Sequence, residues 1–441
     1  MKRFIVVVGM LVIAALLASC VAPAAAPSGA GDTAAQPEEK IDLVFRQGDP
    51  PGEIAGLETA VQKWNEENPN IQVTIETVPW SDAQAQFVRE VQAGGGPDVA
   101  QIAFVWTADL GKQGLLMDLT SLIAESAPGA GMDDFLATDL AIVDDAMYGI
   151  PWTVDTATMV YRPDLLEAAG VEEFPQTWAD LSEVAKQLTL DTTGDGRIDQ
   201  YGFCWPAGSG PDGATWFLVN AYLWSNGLTL VEQDADGNWV VGVTPEELAG
   251  AMSYFNSFFE DGSTPESLIA VSWEGDPALV TGIASGDCAM TNFRLSTFRL
   301  ATEEAEVPIV MALEPQGSEG RASHLGGRTL GINPNTKHTE AAWEFLKFLT
   351  SATTFETYNQ FPAQKTLLGE ITPNLPEAEQ AYAEQLTYGR TFRDYIVSPA
   401  NTNSMWAATN REFGAVFSGQ KTAEQAAQDM IAELNDLLQG E

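Results

Sequence analysis

Residues 94–120 read GGGPDVAQIAFVWTADLGKQGLLMDLT. Three glycines and a proline predict a tight turn, and the apolar run 99–105 has the length and composition of a parallel strand buried on both faces. Trp106 and Asp109 follow, where the strand ends and a short helix is expected to begin. Ligands of open α/β sheets bind beyond the carboxyl ends of strands, so this indole and carboxylate indicate a stacking surface and a hydrogen-bond acceptor. The alternative is that Trp106 packs locally and Asp109 caps the helix.

The segments before this strand alternate in the same way. Residues 41–45 and 71–75 alternate between apolar and polar side chains like strands, whereas 56–68 and 83–93 have helical spacing or helical composition. A strand–helix–strand–helix–strand order predicts a parallel sheet with right-handed crossovers. The chain is therefore expected to belong to the α/β class.

Length and charge limit the classes of function. The chain has 441 residues, enough for two domains with cores of their own. Its 62 acidic and 21 basic residues give a net charge of −41. Nucleic acid and anionic lipid headgroups both require a basic surface, so we expect neither as a partner. The acidity is equally typical of a well-solvated surface and does not identify the ligand.

Cysteine and histidine are scarce. Cys204 and Cys288 are expected to be two buried thiols, with a structural disulfide as the alternative. The two histidines, His324 and His338, lie far from any cysteine in the sequence. A histidine-based metal site or a Ser-His-Asp triad is hard to assemble from such a set.

The first forty residues are typical of export. A positively charged start and an apolar run too short to be a comfortable membrane span end in LASC at 17–20, which resembles the lipobox of bacterial lipoproteins. This predicts a signal peptide at 1–19, and the resemblance implies that Cys20 is acylated and becomes the N-terminus. An ordinary secretory leader is the alternative. Residues 20–40 are rich in Ala, Pro, Gly and Ser and predict a flexible tether.

Nine short motifs occur in a characteristic order over the body of the chain. They are WNEENPNI (64–71), GPDV (96–99), GLLMDL (114–119), YGIP (148–151), YRPDLL (161–166), PQTW (175–178), GDCAMT (286–291), AAWEFLKFL (341–349) and FPA (361–363). Each is weak alone, but together, behind a lipobox, they resemble the extracellular solute-binding proteins of bacterial ABC importers, in the carbohydrate-binding, maltose-binding-protein-like family.

The resemblance implies two α/β lobes with a ligand cleft at the hinge, each lobe a mostly parallel sheet flanked by helices. We place one lobe at 41–153 and 306–353 and the other at 156–304 and 358–441. The implied function is capture of a carbohydrate, a di- or oligosaccharide, for the membrane subunits of an importer. The chain would be an extracytoplasmic, lipid-anchored monomer that carries out no chemistry and needs no cofactor.

Several site residues are implied by position within the family. Trp106 and Asp109 align with a Trp and an Asp that contact sugar, Asp155 with a sugar-binding Glu near the hinge, and Trp406 with a stacking Trp of the other lobe. The wider family also implies that Trp152 and the backbone of Gly326 and Gly327 line the cleft. Arg294 is a departure, because the family commonly has Gly and a stacking Trp in this region. An arginine can donate to hydroxyls or to an acidic sugar.

Three further tryptophans stand at predicted strand ends, namely Trp80, Trp205 and Trp273. Indole rings stack on the CH faces of sugars, so each is a candidate for ligand contact, with core packing as the alternative.

One loop resembles the start of an EF-hand. Its metal-ligating positions would be taken by Asp191, Thr193, Asp195, Arg197 (through its carbonyl) and Asp199. Gly202 stands where a bidentate Glu is needed, so a structural calcium would require a carboxylate from elsewhere. The alternative is an Asx-turn loop without metal.

Other functions stay open on the sequence alone. The ligand could be a polyamine, an oxidised iron or a phosphorylated polyol, since the acidity suits a cation. A glycoside-cleaving lipoprotein is a second class, with Asp109 and Asp155 as a carboxylate pair. A surface adhesion module is disfavoured by the α/β alternation.

Overall fold

The structure is a computed structural model that describes residues 40–49, 51–211 and 213–440. The predicted signal peptide, the lipidation site Cys20 and all of the tether except Lys40 lie outside the described residues. Within the described ranges, no helix is both long and apolar enough to cross a membrane.

Strands and helices alternate along most of the chain. The strands are β1 (Ile41–Gln47), β2 (Ile71–Thr77), β3 (Val99–Ala103), β4 (Ile142–Val143), β5 (Ala146–Met147), β6 (Ile150–Asp155), β7 (Thr158–Tyr161), β8 (Val231–Gln233), β9 (Trp239–Val241), β10 (Met290–Phe293), β11 (Val310–Ala312), β12 (Ser323–His324), β13 (Gly326–Ile332), β14 (Phe361–Pro362) and β15 (Gly389–Arg390). The helices are α1 (Pro51–Glu67), α2 (Trp80–Gln92), α3 (Phe104–Lys112), α4 (Thr120–Ser126), α5 (Pro163–Ala168), α6 (Trp178–Gln187), α7 (Thr215–Ser225), α8 (Pro245–Glu260), α9 (Pro277–Ser285), α10 (Leu295–Glu304), α11 (Thr339–Leu349), α12 (Ala352–Phe355), α13 (Lys365–Ile371), α14 (Gln380–Leu386), α15 (Arg393–Val397), α16 (Thr402–Phe417) and α17 (Ala423–Gln439).

The first lobe is built on a six-stranded sheet with the order β14-β6-β13-β3-β1-β2. β1 pairs in parallel with β2 and β3, as the strand–helix alternation predicts. β13, β6 and β14 complete the sheet with antiparallel pairings. Every residue of β3 is buried, which agrees with the apolar run that predicted it.

The second lobe has a three-stranded sheet, β10-β7-β11, in which both pairings are antiparallel. Both sheets are therefore less parallel than predicted. The chain leaves the first sheet at the end of β6 and enters β7 two residues later. It returns to the first sheet through β13, which runs antiparallel to β3 and β6. The strands near the lobe junction therefore do not form the parallel strand–helix–strand units seen in β1 to β3.

Two predicted lobe boundaries are wrong. Val310 in β11 lies opposite Tyr161 of β7, so the chain after 306 is still in the second lobe. Phe361 in β14 lies opposite Val154 of β6, so the chain after 358 is still in the first lobe. The polypeptide crosses between lobes after β6, between β12 and β13, and between β14 and α14.

Cys204 and Cys288 form a disulfide, with Cα atoms 5.8 Å apart, so the expectation of two thiols is wrong. Isolated bridges pair Tyr201 with Cys288 and Cys204 with Thr291, which lays the two segments side by side in parallel. The Cα separation is within the range that a disulfide requires. Their sequence separation of 84 residues gave no sign of this contact.

Candidate functional site

Charged side chains meet where the chain crosses between the lobes. Asp155 ends β6, and its Oδ2 lies 2.9 Å from Nη1 of Arg328 on β13. Its Oδ1 lies 3.7 Å from Nε2 of His324, beyond hydrogen-bond length. Gly326 faces Asp155 across the two strands, and a Cβ there would lie 2.3 Å from Oδ1. A glycine is therefore what leaves room for the carboxylate.

Gly327 permits an equally close approach. A Cβ at this position would lie 2.1 Å from the carbonyl oxygen of Thr153, and the residue has a φ of 145°. Both properties favour glycine. The two glycines position β13 against β6, and neither has a side chain that could contact a ligand.

Burial and neighbouring charges together set the charge states of Asp155 and His324. Burial raises the pKa of the Asp155 carboxyl, but His324, Arg294 and Arg328 outweigh it and hold that pKa well below its usual range. Burial lowers the pKa of His324 despite the nearby Asp155. At neutral pH Asp155 is therefore an anion and His324 an uncharged imidazole.

The first-lobe wall is a pair of tryptophans. Trp80 begins α2 and Trp106 lies in the first turn of α3, with ring centroids 4.9 Å apart and an interplanar angle of 22°. The guanidinium carbon of Arg328 lies 5.4 Å from the Trp80 centroid. A Cβ on Gly48 would lie 2.4 Å from the Trp80 ring, so that glycine also fixes the ring. Both indoles are half-buried and keep part of their surface in solvent.

Asp109 follows Trp106 by three residues on α3, so the two share a face of the helix. It is exposed, and the N-cap position of α3 is Ala103. Helix capping therefore does not explain Asp109.

The second-lobe wall is a set of rings around an arginine. Arg294 follows β10 directly, and its guanidinium carbon lies 4.5 Å from the Trp273 centroid and 5.0 Å from that of Phe217. Its Nε lies 3.1 Å from Oε1 of Glu274. Trp406 on α16 packs edge to face with Phe217 at 5.2 Å and donates from Nε1 to the carbonyl of Gly213.

Glu274 is buried in this wall. Burial raises the pKa of its carboxyl, the adjacent Arg294 lowers it, and the negative charge of Asp155 raises it again, so that the pKa ends above its ordinary value. Arg294 therefore lowers the pKa of both Glu274 and Asp155.

The two walls are joined by a continuous row of contacts. Arg328 touches Trp80 on one side and Asp155 on the other. The His324 ring, next to Asp155, lies 4.5 Å from the Phe217 ring. We call this set the interlobe site; it comprises Trp80, Trp106, Asp155, Phe217, Trp273, Glu274, Arg294, His324, Arg328 and Trp406.

Trp152 is a core residue, so the expectation that it lines the cleft is wrong. It is 1% exposed, its Nε1 donates to the carbonyl of Leu349, and its ring stacks on Tyr358 at 4.9 Å. The partners come from remote segments that close over the strand.

Trp205 is also fully buried, with its ring against Phe255 and Phe417. It does not present a face to solvent as a stacking platform. Its side chain instead borders a small cavity that Arg294 also lines.

The loop that resembles an EF-hand is closed by its own backbone. The Asp191 carboxylate accepts hydrogen bonds from the amides of Gly194 and Gly196, and that of Asp199 from the amide of Thr192. These are Asx-type turns. The part of the chain that the structure describes contains no group of three or more His, Cys, Asp or Glu side chains that could hold a metal. The calcium site stays a prediction.

Four members of the interlobe site were not found from the sequence: Phe217, Glu274, His324 and Arg328. Glu274 directly follows Trp273, and Arg328 directly follows Gly326 and Gly327. Adjacency to a predicted site residue could therefore have identified both. Phe217 lies in α7, a helix that is apolar on nearly every side, and nothing distinguishes it locally.

Comparison with known proteins places this chain in a family. The sequence model of the bacterial extracellular solute-binding proteins matches residues 28–354. A putative binding protein of Brucella abortus is 26% identical over 295 residues, which are 66% of this chain and 68% of that relative. The maltooligosaccharide ABC transporter solute-binding lipoprotein of Streptococcus pneumoniae is 24% identical over 393 residues, covering 86% and 85% of the two chains.

Solved structures show the same fold. The GacH receptor of Streptomyces glaucescens, solved unliganded and in complex with acarbose, is similar with a TM-score of 0.75. The identity is 22%, and the likeness covers 91% of this chain and 99% of that one. The two-lobed α/β architecture predicted from the sequence is confirmed.

Proposed function

The chain belongs to the bacterial extracellular solute-binding proteins, and on that premise we propose that it captures an uncharged carbohydrate between its lobes for an ABC importer. The role of this family is to bind solutes, not to transform them. The closed complex would dock on the membrane subunits of the importer, and the preferred ligand would be a di- or oligosaccharide.

The arrangement of aromatic rings and ion-paired side chains around the lobe junction carries this proposal. Sugars present CH faces to indole rings and hydroxyls to charged, planar groups. The Trp80–Trp106 pair offers the first kind of surface, and Asp155, Arg328 and Arg294 offer the second. Such fixed charges bind hydroxyls well because their own side chains are already held by neighbours.

Charge compensation favours a neutral ligand over an ionic one. Arg328 pairs with Asp155, and its Nε lies 3.4 Å from the buried carboxylate of Asp49. Arg294 pairs with Glu274. A phosphorylated polyol or acidic sugar would need an uncompensated cation, and a polyamine or iron ion would need an uncompensated cluster of carboxylates. At this junction the arginines and the carboxylates are instead paired with one another.

The named relatives support the same class of ligand. One is a maltooligosaccharide-binding lipoprotein, another the galactooligosaccharide-binding protein of Bacillus subtilis, which is 22% identical over 385 residues. For location, we propose the extracytoplasmic face of the cell membrane, with Cys20 as the lipid anchor, and a monomeric state.

Isothermal titration against maltose, maltotriose, cellobiose, galactobiose, a uronic-acid disaccharide and spermidine tests the proposal. We expect binding of a neutral sugar in the micromolar range or tighter, with no binding of the uronate or the polyamine. Tight binding of a non-sugar with no response to any sugar would refute the carbohydrate assignment. Reducing-sugar release from the bound oligosaccharide would instead indicate a glycoside-cleaving activity, which the lowered pKa of Asp155 disfavours for a general acid.

A further inference from the structure

A small cavity lies behind the second-lobe wall. Its volume is about 10 Å³, which is roughly the space for one water-sized group. Part of its lining is apolar, including Pro206 and Leu218, and part is polar, including Glu274, Arg294 and His324. A pocket of this size and mixture fits one oxygen atom, and a carbon that carries this oxygen would lie at the opening.

Three residues of its lining carry buried polar atoms that have no hydrogen-bond partner within the described residues. They are Nε1 of Trp205, Nη2 of Arg294 and both ring nitrogens of His324. Trp205 and His324 are 0% and 1% exposed, so bulk water does not satisfy them. Unsatisfied groups at this depth are costly, and three residues that share one cavity are well placed to share one guest.

The chemistry of these atoms specifies the guest. Trp205 and Arg294 can only donate, whereas an uncharged His324 carries one N–H and one bare nitrogen. A hydroxyl group matches this set, because its oxygen accepts from the donors while its proton goes to the imidazole nitrogen or to Glu274. A carboxylate would have no proton to give, and a methyl group would leave every polar atom unpaired.

The cavity faces the interlobe site. Of the lining residues, Phe217 and Arg294 are half-buried and the others are buried, and both half-buried residues belong to the second-lobe wall. A group that enters between them must therefore be carried by a ligand already lying against that wall. A ring hydroxyl has no flexible stem, whereas the exocyclic hydroxymethyl group of a hexose extends one carbon beyond the ring.

We propose that this cavity receives the hydroxymethyl group of a hexose unit and thereby selects hexoses over pentoses. The inference rests on the proposed sugar-binding function. Selection arises because the hydroxyl of a hexose would pair the donors of Trp205 and Arg294, whereas a pentose would leave them buried and unpaired as in the free protein. Sites built to bond a hydroxyl reject analogues that lack it strongly.

Matched ligand pairs test this in the unmodified protein. D-glucose and D-xylose, D-galactose and L-arabinose, and cellobiose and xylobiose differ only by hydroxymethyl groups. We expect the hexose member of any pair that binds to be at least about tenfold tighter. Equal or tighter binding of the pentose member would overturn the subsite while leaving sugar binding intact. Absence of binding by every pair, with tight binding of a non-sugar, would remove the proposed function and the subsite together.

Trp205→Phe tests the donor. It removes Nε1, so we expect about a fivefold loss of affinity for the hexose and no change for its pentose partner. Trp64→Phe is the matched control, because Trp64 is a buried first-lobe tryptophan whose Nε1 also has no hydrogen-bond partner among the described residues. An equal loss for both sugars, or a loss in the control as large, would show a packing effect and contradict the subsite. Should Trp205→Phe not fold, the ligand pairs on the unmodified protein decide the matter alone.

Discussion

In the first-lobe wall a tryptophan ring lies on another tryptophan ring, whereas in the second-lobe wall an arginine lies on each of two rings. The first arrangement leaves aromatic surface for the CH face of a ligand. The second holds a guanidinium against two of its rings as a hydrogen-bond donor, and Trp273 stays 41% exposed; the first also has a guanidinium, that of Arg328, near Trp80. We therefore expect the first wall to supply more of the stacking and the second wall more of the polar selection.

The lobes differ in the same sense away from the site. The first is built on a six-stranded sheet, and its buried carboxylate, Asp49, is bonded to Gln101 and Tyr358. The second has a three-stranded sheet, a disulfide and the buried carboxyl groups of Glu274 and Glu314. The second lobe therefore has the smaller sheet and a covalent cross-link in addition.

Loss of the disulfide should have the largest effect, confined to the second lobe. The double variant Cys204→Ser, Cys288→Ser opens a loop of 84 residues. We expect the free energy of unfolding to fall by about 4 kcal/mol, since the unfolded chain regains the entropy that the cross-link removed. Native-state hydrogen exchange should show faster opening of β7 and β10 with little change in β1 to β3.

Reductant supplies the control for that variant, because it should weaken the parent protein and leave the double variant unaffected. Equal loss of protection in both lobes would mean that they unfold as one unit, and the contrast between them would then not extend to stability.

Replacing Glu314 by Gln should stabilise the second lobe at alkaline pH. Glu314 is 1% exposed, and its Oε1 accepts a hydrogen bond from Asn292 at 2.9 Å. Burial raises the pKa of this carboxyl to about 8, against the lowering by Ser323 and Asn292. Because the folded-state pKa exceeds the unfolded value, the stabilising contribution is complete below the unfolded pKa and is lost as pH rises through the folded one.

Urea unfolding at about pH 5 and about pH 9 measures this, and the parent should lose on the order of a few kcal/mol more than Glu314→Gln between the two. Glu379→Gln is a suitable control, since Glu379 is buried but paired with Arg299, and its loss should destabilise at both pH values. Parallel pH profiles for the parent and Glu314→Gln would show that Glu314 is charged in the fold.

Trp106→Ala should cost more affinity than Trp406→Ala, since the first wall supplies the stacking. Loss of a buried indole contact of about 2 kcal/mol corresponds to roughly thirtyfold weaker sugar binding. Trp406 already has its ring against Phe217 and its Nε1 bonded, so we expect only about a fivefold loss there. Titration with the preferred oligosaccharide measures both, and Trp343→Phe, a buried helix residue of the first lobe, should leave affinity unchanged. The reverse order of Trp406 and Trp106 would assign stacking to the second lobe.

These contrasts also show what the sequence could and could not predict. The β1–α1–β2–α2–β3 order could be predicted because each of these elements has a local pattern and each strand pairs with a sequence neighbour or near neighbour. The pairing of β11 with β7 and of β14 with β6 could not, because short strands carry little pattern and their register depends on the whole fold.

The site residues followed the same division. Trp106 follows β3 and Trp152 lies within β6, but only Trp152 is fully covered, by Leu349 and Tyr358 from segments about two hundred positions away. Local sequence gives no access to that difference. Arg294 stands out in the sequence because it departs from a family pattern. Its counter-ion Glu274 and the ring of Phe217 can be recognised as site residues only from their contacts with Arg294 in the structure.

The smallest expected effect concerns a contact between the lobes that involves neither wall. Arg393 at the start of α15 belongs to the second lobe, and its guanidinium donates to the backbone carbonyl of Asp139 in the first. The Asp139 carboxylate lies 3.7 Å from the same guanidinium, and both side chains are more than 40% exposed. Exposed pairs of this kind contribute little and are screened by salt.

Asp139→Asn keeps the carbonyl acceptor, so we expect about a twofold loss of ligand affinity at low salt and none at high salt. Arg393→Ala removes both contacts and should lose slightly more, with a residual effect that salt does not abolish. A loss from either variant as large as that of Trp106→Ala would mean that closure is governed by this contact and not by the two walls around the ligand.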